Sequence, residues 1–388
     1  MNDTTTQTLH LTIATDLADV SAEEWDALDP SGNPFVSYAW LRAMEVTGCV
    51  APEKGWMPQH LLVRLDGVLV GACPAYVKGH SYGEYIYDWA WADLAQRLRR
   101  AYYPKLILAS PFSPVTGPRL RVSPDVDDEL ADTVRVAMLS TLKSLCRPDA
   151  LCGVHALFVD EAESKVFDRE GYFVRTAHQY HWLNDGYASF DEFLERFRSK
   201  RRREIRRERR IVRDAGYHVE VVRGTDFTPD MVDDLVAFYE KTCSRYMYGQ
   251  QYLNRDFFEE VAATMPSAIR AFFAVNEDGK RVAGTFNLAS PTRLYGRYWG
   301  FHEDVPHLHF ETCYYSMIET AIAEGFDVIE PGAGGDHKYT RGFTPVTMYS
   351  AHELTDPQLR MLLERHVEGE RDAVGVMIDE MKERGPLK

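Results

Sequence analysis

The chain has 388 residues and a formal net charge of −15 at pH 7, with 44 Lys and Arg against 59 Asp and Glu. This length exceeds what one hydrophobic core usually accommodates and predicts two domains, and the acidic total argues against general affinity for nucleic acid. No apolar run suits a membrane-spanning helix, the N-terminal segment lacks the pattern of a signal peptide, and the six cysteines lack metal-binding spacing. We therefore expect a cytoplasmic protein without a transmembrane segment or a metal site, able at most to contact a membrane peripherally.

Capping signals and apolar spacing predict helices in the first half of the chain. Ser21, with Glu24 three residues later, forms a capping box. The predicted elements are helices at 21–29, 37–48 and 128–148 and a buried strand at 150–160.

Two β-hairpins of similar plan indicate an internal duplication. In residues 60–91, two strands are joined through the turn pair Asp66-Gly67 and followed by an aromatic strand. Residues 271–300 repeat this plan with Asp278-Gly279 as the turn. Hairpins are common, so chance similarity is the alternative. The duplication predicts one α/β unit repeated, with domains at 1–186 and 187–388.

The second half contains further predicted elements around its hairpin. They are helices at 228–246 and 309–325, strands at 326–332 and 346–354, and a charged helical tail at 356–384. A Gly-rich bend separates the two strands, and Gly325 ends the preceding helix.

A strongly basic helix is predicted at 191–215. Between Arg196 and Arg213 there are eleven Arg or Lys and only two acids, in a chain that is acidic overall. Arg presents a planar fork of donors to phosphate oxygens, so we expect this helix to bind the phosphates of a donor substrate; a solvated face paired with acidic residues is the alternative. The phosphate-binding candidates are Lys200, Arg201, Arg203, Arg206, Arg207 and Arg210.

Several long motifs together resemble the FemAB-like family, which belongs to the N-acyltransferases of GNAT type. They are "HSYGEYIYDWAWAD" (80–93), "YYPKL" (102–106), "PFSPVTGPRL" (111–120), the basic helix, "LYGRYWG" (294–300), "HFETCYYSMIETAI" (309–322) and "EPGAGGDHKYTRGFTPV" (330–346). The resemblance covers about 33–384. It implies an α/β (α+β) fold with tandem duplicated GNAT-like domains, in which helices flank mixed central sheets.

The resemblance also implies a reaction, the transfer of an acyl or aminoacyl group to a primary amine. Fem transferases move an amino acid from aminoacyl-tRNA to a peptidoglycan precursor, whereas other members of the group resemble acyl-CoA-dependent enzymes that acylate sphingoid bases. The chain lacks the Q/R-x-x-G-x-G/A motif with which acetyl-CoA-using GNAT domains bind pyrophosphate. The basic helix would then take over phosphate binding.

The densest polar cluster, from Glu330 to Gly342, is the predicted catalytic segment. By resemblance, Lys338 and Arg341 would lie near the donor carbonyl and stabilise the negative charge that develops on it. Either His337 or Glu311 would accept the proton of the attacking amine. A solvated surface turn is the alternative for this segment.

An aromatic and acidic run in the first half is the predicted acceptor pocket. Alternate side chains of a strand share a face, so Tyr85, Tyr87, Trp89 and Trp91 would lie together, either as core or as a pocket wall. The acceptor candidates are Tyr82, Glu84, Asp88, Trp89, Trp91 and Asp93, with Arg297 and Tyr298 on the equivalent strand of the second half. His307 and His309 resemble a metal pair, but no third ligand has suitable spacing.

These expectations define an N-acyltransferase that acts by direct attack of an amine. Acyl-CoA or aminoacyl-tRNA would be the co-substrate, with no tightly bound cofactor, and transfer RNA would be a partner in the second case. The acceptor would be a small-molecule or lipid amine. One alternative is long-chain acylation of a lipid amine such as a sphingoid base, as in a ceramide synthase. The other is a non-catalytic module that binds a peptidoglycan precursor.

Overall fold

The computed structural model describes residues 8–147, 149–245 and 250–387. The chain forms two compact units, the first made of 1–177 and 348–374 and the second of 178–347 and 375–388. The domain boundary predicted between residues 186 and 187 stays a prediction. The compact units do not follow a single boundary, because each is made of two separate segments of the chain. The expectations that concern 1–7, Pro148 and Tyr246 fall outside the described residues.

The first unit contains most of the elements predicted for the first half of the chain. In chain order they are β1 (Leu9–Ala14), α1 (Ala22–Asp26), α2 (Tyr38–Val46), β2 (Trp56–Pro58), β3 (His60–Leu65), β4 (Val68–Cys73), β5 (Ala75–Lys78), α3 (Trp89–Arg97), β6 (Lys105–Leu108), β7 (Arg121–Val122), α4 (Asp128–Leu145), β8 (Gly153–Val159), α5 (Glu161–Arg169) and the start of β9 (Phe173–Leu183). The predicted capping box is present, since Ser21 Oγ accepts a hydrogen bond from the Glu24 amide and donates one to its side chain.

The second unit follows the order expected from the sequence. Its elements are the end of β9, then α6 (Phe190–Glu195), α7 (Ser199–Asp214), β10 (His218–Arg223), α8 (Pro229–Arg245), α9 (Arg255–Thr264), β11 (Ile269–Val275), β12 (Arg281–Ala289), β13 (Arg293–Phe301), α10 (Leu308–Phe310), a π-helix (Glu311–Tyr315), α11 (Ser316–Glu324), β14 (Val328–Glu330), β15 (Thr344–Leu354) and α12 (Pro357–Glu383). Parts of β15 and α12 belong to the first unit.

Each unit is built on mixed β-sheet. In the first unit, β1-β3-β4-β7 form an antiparallel sheet, and β15-β8-β6-β5-β2 lie side by side with β6 and β8 parallel. In the second unit the order is β10-β11-β12-β13-β14-β9, and only the β13–β14 pair is parallel among the described pairings. The expected α/β class, with mixed sheets flanked by helices, is confirmed.

Both predicted hairpins are present in the structure. Asp66 and Gly67 have φ angles of 51° and 87°, and such positive φ angles at both central residues suit a tight turn between twisted strands. In the second unit β11 and β12 are antiparallel and meet near Gly279, whose φ angle is 75°.

The prediction of an aromatic strand after the first hairpin is wrong. Residues 79–88 form no strand, and helix α3 begins at Trp89. The reason is that two carboxylates in this segment are buried around Lys105, which lies 17 to 21 residues further along the chain. Their ion pairs fix the segment as a loop, and the two-residue spacing of the aromatic side chains is coincidental.

The basic helix is divided into two, which differs from the single helix predicted at 191–215. Helix α6 ends at Glu195 and α7 begins at Ser199, with Arg198 in an extended conformation between them. Phe197 is fully buried and pairs as an isolated β-bridge with Leu387. Burial of this phenylalanine requires the chain to leave the helix at this point.

None of the described helices combines the length and the apolarity needed to cross a membrane. The core of the second unit is an aromatic and aliphatic cluster that includes Trp182, Phe193, Tyr315 and Ile329. This core supports the strands and the helix around the candidate site.

Candidate active site

A cavity opens where the two parallel strands of the second unit separate. Strands β13 and β14 pair only at residues 293–295 with 328–330. Beyond Tyr295 the chain of β13 continues beside β12 and not beside β14. A cavity of about 290 Å³ lies here, lined from β13 by Arg297, Tyr298 and Trp299 and from the segment after β14 by His337 and Lys338. Divergence of parallel strands leaves room for a ligand beside the backbone.

A β-bulge marks the same position on β13. Gly296 lies opposite Asn287, and Tyr298 lies opposite Phe286, so Arg297 is the extra residue. Bulges bend a strand and redirect its side chains, and they are over-represented beside active sites. Here the bulge brings Arg297 and Tyr298 to the cavity wall.

The Gly-rich loop after β14 forms the opposite wall. Gly335 has a φ angle of 88°, and a Cβ atom at this position would lie 2.8 Å from the His337 ring. Glycine is therefore required both by the backbone conformation and by the close approach of the histidine. The loop delivers His337 and Lys338 to the cavity, as the sequence analysis predicted for this segment.

Lys338 is a buried cation at the cavity wall, with an exposed fraction of only 3%. Its Nζ donates hydrogen bonds to the backbone oxygens of Gly332 at 2.6 Å and Ala333 at 3.3 Å. Burial lowers the pKa of Lys338 to about 8, and the nearby charge of Arg297 contributes to this shift. An ammonium has three donor hydrogens, so one remains for a ligand.

His337 is half-buried and hydrogen-bonded within the cavity. Its Nε2 lies 2.8 Å from the hydroxyl oxygen of Tyr314. Burial lowers the pKa of His337, and the charges of Arg341 and Lys338 act in the same direction. The imidazole is therefore neutral at pH 7 and able to accept a proton.

A second histidine lines the same cavity. The ring of His309 lies 5.6 Å from the ring of His337 and 5.2 Å from that of Trp299. Burial lowers the pKa of His309 to about 4, helped by His337 and Lys338. From the sequence, His309 was considered only as a metal ligand, and its place in the cavity was missed. No local pattern in the sequence indicates this place, because it depends on how the helix after β13 packs across the cavity.

Arg341 does not line the cavity, which differs from its expected role near the donor carbonyl. Its guanidinium donates to Glu208 Oε2 at 2.9 Å and to the His337 backbone oxygen at 2.9 Å. It also lies 3.3 Å above the ring of Phe310. These contacts direct the guanidinium toward Glu208, Phe310 and the His337 backbone, so we expect Arg341 to act by holding the His337 backbone in place.

Glu311 is also outside this cavity. Its carboxylate is bound by Arg209 at 2.8 Å, and Arg209 binds Glu319 at 2.7 Å as well. These residues line a separate cavity of about 590 Å³ beside helix α7. Burial raises the pKa of Glu311, although Arg209 opposes the shift. The structure therefore separates Glu311 from His337, the other expected proton acceptor.

The six predicted phosphate-binding residues of α7 fall into two groups. Arg201 donates to the backbone oxygen of Thr340 at 2.7 Å and pairs with Glu204 and Glu208, and Arg206 pairs with Asp191. Four others have no hydrogen-bond or ion-pair partner among the described residues, and we call them the basic stripe because they follow helical spacing on one side. They are Lys200, Arg203, Arg207 and Arg210, and all four are exposed.

The acceptor residues expected in the first unit do not form one pocket wall. Tyr82 and Trp89 are exposed, with ring centroids 5.0 Å apart, and Asp93 is exposed on α3. Trp91 is buried against Phe173 and His352. Trp91 is thus part of the core, which was the alternative considered for this run.

Glu84 and Asp88 belong to a buried charge network and not to a solvent-facing pocket. Lys105 Nζ lies 2.9 Å from Glu84 Oε2 and 2.5 Å from Asp88 Oδ2, and it also donates to Ser81. The Tyr102 hydroxyl donates to Asp88 at 2.6 Å. Burial raises the pKa of Glu84 to about 7. Both carboxylates are buried, with one oxygen of each bound to Lys105, so neither faces solvent to attract an ammonium substrate.

Among the described residues, no group of three or more His, Cys, Asp or Glu side chains could hold a metal ion. His307 does not line the cavity that contains His309. The two histidines therefore do not form the start of a metal site in the described part of the chain.

The fold is of the α/β class with mixed sheets flanked by helices that the sequence predicted. Residues 16–388 match the FemAB-like family, which is described as peptidoglycan biosynthesis/recognition. Since this match spans almost the whole chain, the chain belongs to the FemAB-like family. None of the curated proteins compared with the chain matches it.

Several solved structures are similar to this chain at low sequence identity. "Crystal structure of FemX" has a TM-score of 0.54 and 13% identity, covering 89% of this chain and 98% of that one. A conserved protein of unknown function from Bacteroides thetaiotaomicron VPI-5482 has a TM-score of 0.50 and 9% identity, covering 89% and 100%. A tandem GNAT protein from the clavulanic acid biosynthesis pathway has a TM-score of 0.45 and 12% identity, covering 90% and 99%.

Proposed function

We propose that the second unit is an N-acyltransferase site, which moves an acyl or aminoacyl group from a phosphate-bearing donor to a primary amine. The observation that carries this proposal is the cavity between β13 and β14, where the buried ammonium of Lys338 and the imidazoles of His309 and His337 line one space. Direct acyl transfer needs a polarised carbonyl and an acceptor for the amine proton. These side chains supply both.

In this proposal Lys338 polarises the carbonyl of the donor. The amine nitrogen attacks the carbonyl carbon, and negative charge develops on the oxygen. The third donor hydrogen of the Lys338 ammonium would stabilise this oxyanion, in surroundings where burial strengthens the interaction. The Gly332 and Ala333 oxygens hold the ammonium in position before the donor arrives.

The proton of the attacking amine would pass to His337. Its imidazole is neutral, lines the cavity and is held by the Tyr314 hydroxyl. Glu311 is a weaker candidate, because Arg209 occupies its carboxylate outside the cavity. A His337→Gln variant should therefore lower the turnover number, whereas Glu311→Gln should retain it within a few-fold.

The donor phosphates would bind to the basic stripe of α7. Its four cations are exposed and without partners among the described residues, whereas the paired arginines of the same helix are committed to internal contacts. Both acyl-CoA and aminoacyl-tRNA carry phosphates that suit this surface. The stripe supports a phosphate-bearing donor and leaves both carriers open.

The family description supports an acceptor amine on a peptidoglycan precursor. A lipid amine such as a sphingoid base is the alternative acceptor, and binding of a precursor without chemistry is the alternative function. The buried ammonium and neutral imidazoles favour chemistry, since a binding site for a precursor needs neither in one cavity. Exposed Tyr82 and Trp89 of the first unit stay candidates for acceptor contacts.

The test is an assay of N-acylated products by mass spectrometry. The protein is incubated with acyl-CoA or aminoacyl-tRNA donors and a panel of amines that includes a peptidoglycan precursor peptide and sphinganine. A Lys338→Met variant should lose about a hundredfold or more in turnover, in the range for removal of an oxyanion donor. Lys280→Met, a lysine in the turn between β11 and β12, is the control. Full activity of Lys338→Met would remove this lysine from the mechanism, and no product with any donor would exclude the proposed function.

A further inference from the structure

The cavity between β13 and β14 is electropositive. Two cationic side chains line it, Arg297 and Lys338, and the described lining residues include no Asp or Glu. The two acidic residues nearest along the chain do not reach it. Glu330 pairs with Arg293 at 2.8 Å, and Asp336 accepts a hydrogen bond from Tyr180 at 3.1 Å. A ligand group that carries positive charge would find no counter-charge in this lining.

Two backbone oxygens of the Gly-rich loop are already occupied by a cation. Lys338 Nζ is bound to the oxygens of Gly332 and Ala333, and Ala333 lines the cavity. An incoming ammonium would have to displace this buried lysine or lie beside it. Either outcome is unfavourable, because like charges repel strongly in poorly solvated surroundings.

We infer that the transferred acyl group carries no ammonium, so that the substrate class is an uncharged or acidic acyl donor and excludes a donor with a free amino group. This inference rests on the proposed function and specifies its donor. During transfer, the amine nitrogen bonds to the carbonyl carbon, and the bond from that carbon to the sulfur or oxygen of the carrier breaks. The proton lost by the nitrogen passes through His337 to the departing thiolate or alkoxide.

The same electropositive lining suits the other substrate, the acceptor. An amine attacks only in its neutral form, and nearby positive charge lowers the pKa of an amine. Burial, with a smaller contribution from Arg297, lowers the pKa of Lys338, the amine that the chain itself places there. An acceptor amine that enters the cavity would be deprotonated more readily than in water. The lining thus favours the neutral form of an amine, which the nucleophile needs, and disfavours a retained ammonium on either substrate.

The experiment compares donors that differ only in this charge. Butyryl-CoA and β-alanyl-CoA are nearly isosteric, with a methyl group in one where the other has an ammonium. Lactyl-tRNA and alanyl-tRNA form a second pair, with a hydroxyl group in place of the ammonium. Dissociation constants are measured by calorimetry at pH 7 and constant salt. In whichever pair binds, we expect the dissociation constant of the uncharged donor to be at least about tenfold lower than that of the donor with the ammonium.

An Arg297→Gln variant tests whether the cavity causes the preference. Removing this charge should shrink the difference within the pair by several-fold while the melting temperature shows that the protein remains folded. Arg223→Gln, on strand β10 and away from the cavity lining, is the matched control and should retain the preference.

The outcomes separate the inference from the proposed function. If one pair binds but its ammonium member binds equally well or more tightly, the inference is overturned and N-acyl transfer stands. If the preference is present but identical in Arg297→Gln, the cavity charge does not cause it and the inference is also overturned. If neither pair binds, the proposed donors are wrong and both proposals fail together.

Discussion

The Nε2 atom of His337 lies 2.8 Å from the hydroxyl oxygen of Tyr314, so that the loop after β14 is tied to the π-helix on the far side of the cavity. This contact fixes the ring that we propose as proton acceptor. It also joins two segments that are separated by 22 residues of intervening chain. The geometry of the site therefore depends on the π-helix as well as on the Gly-rich loop.

Removal of the Tyr314 hydroxyl is expected to reduce the turnover number by roughly threefold to tenfold, because a hydrogen bond contributes about 1 kcal/mol to positioning. The measurement is the initial rate of Tyr314→Phe at saturating substrate. Tyr339→Phe is the control, since its hydroxyl donates to the Met381 backbone oxygen outside the cavity. Equal losses in both variants would show that the effect is structural.

The rate should follow a bell-shaped dependence on pH. Burial lowers the pKa of Lys338 to about 8, so its charged form, which stabilises the oxyanion, is lost as the pH rises through 8 and not near the ordinary value of 10.5. On the acid side, burial lowers the pKa of His337, so its neutral imidazole is lost only at pH values below the ordinary pKa of a histidine. The turnover number is measured from pH 5 to 10, with Lys338→Met expected to lack the alkaline limb. An alkaline limb that persists in this variant would assign it to another group.

Lys338→Met should also stabilise the folded protein at pH 7. Since the folded-state pKa lies below the unfolded value, burial of the charge costs about 3 kcal/mol below pH 8, and this cost disappears as the pH rises toward 10.5. Loss of two hydrogen bonds offsets part of the gain, at about 1 kcal/mol each. Urea unfolding at pH 7 and pH 9.5 measures the difference. A variant that is less stable than the parent at pH 7 would contradict this account.

Neutralisation of the basic stripe should weaken donor binding and reduce its dependence on salt. For a transfer RNA donor, replacing all four residues with Gln should lower the slope of log affinity against log salt by up to about 3. Folding should be unaffected or improved, because like charges four residues apart repel. Arg255→Gln, at the start of α9, is a single-charge control outside the stripe. An unchanged slope would show that the stripe does not contact the donor.

Lys105→Met should destabilise the first unit by about 3 to 5 kcal/mol, because it leaves Asp88 buried without its cation and leaves Glu84 with only the more distant Lys78, at 3.8 Å. Thermal and urea unfolding measure the loss. Lys165→Met removes an exposed pair with Glu161 and should leave stability nearly unchanged, because solvent screens this pair. A loss of comparable size in both variants would mean that the buried network does not hold the 79–88 loop.

Local signals in the sequence were sufficient for many elements. The Ser21 cap, the Asp66-Gly67 turn and the Gly325 stop act within a few residues, and the structure places each where expected. The loop at 79–88 was not predictable in this way, because Lys105 determines it from further along the chain. The aromatic spacing supported a strand only because that distant cation was not considered.

The sequence indicated only the part of the candidate site that depends on local signals. His337 and Lys338 could be identified because a Gly-rich segment after a strand carries them. His309, Cys313 and Tyr314 line the cavity because the helix after β13 packs across it, and no local pattern indicates that placement. The separation of Arg341 and Glu311 from the cavity depends on ion pairs with α7. Pairings of this kind become visible only when the fold is known.

The π-helix at Glu311–Tyr315 determines which of its side chains face the candidate site and which face α7. A π-turn holds one residue more than an α-turn, so its side chains are spread differently around the helix axis. Deleting one residue, such as Thr312, would convert this turn to an α-turn and change the spacing of the side chains within it. Tyr314 contacts His337, while neighbouring Tyr315 bonds to Glu208 on α7. The two adjacent tyrosines thus connect the candidate site and the basic helix through one widened turn.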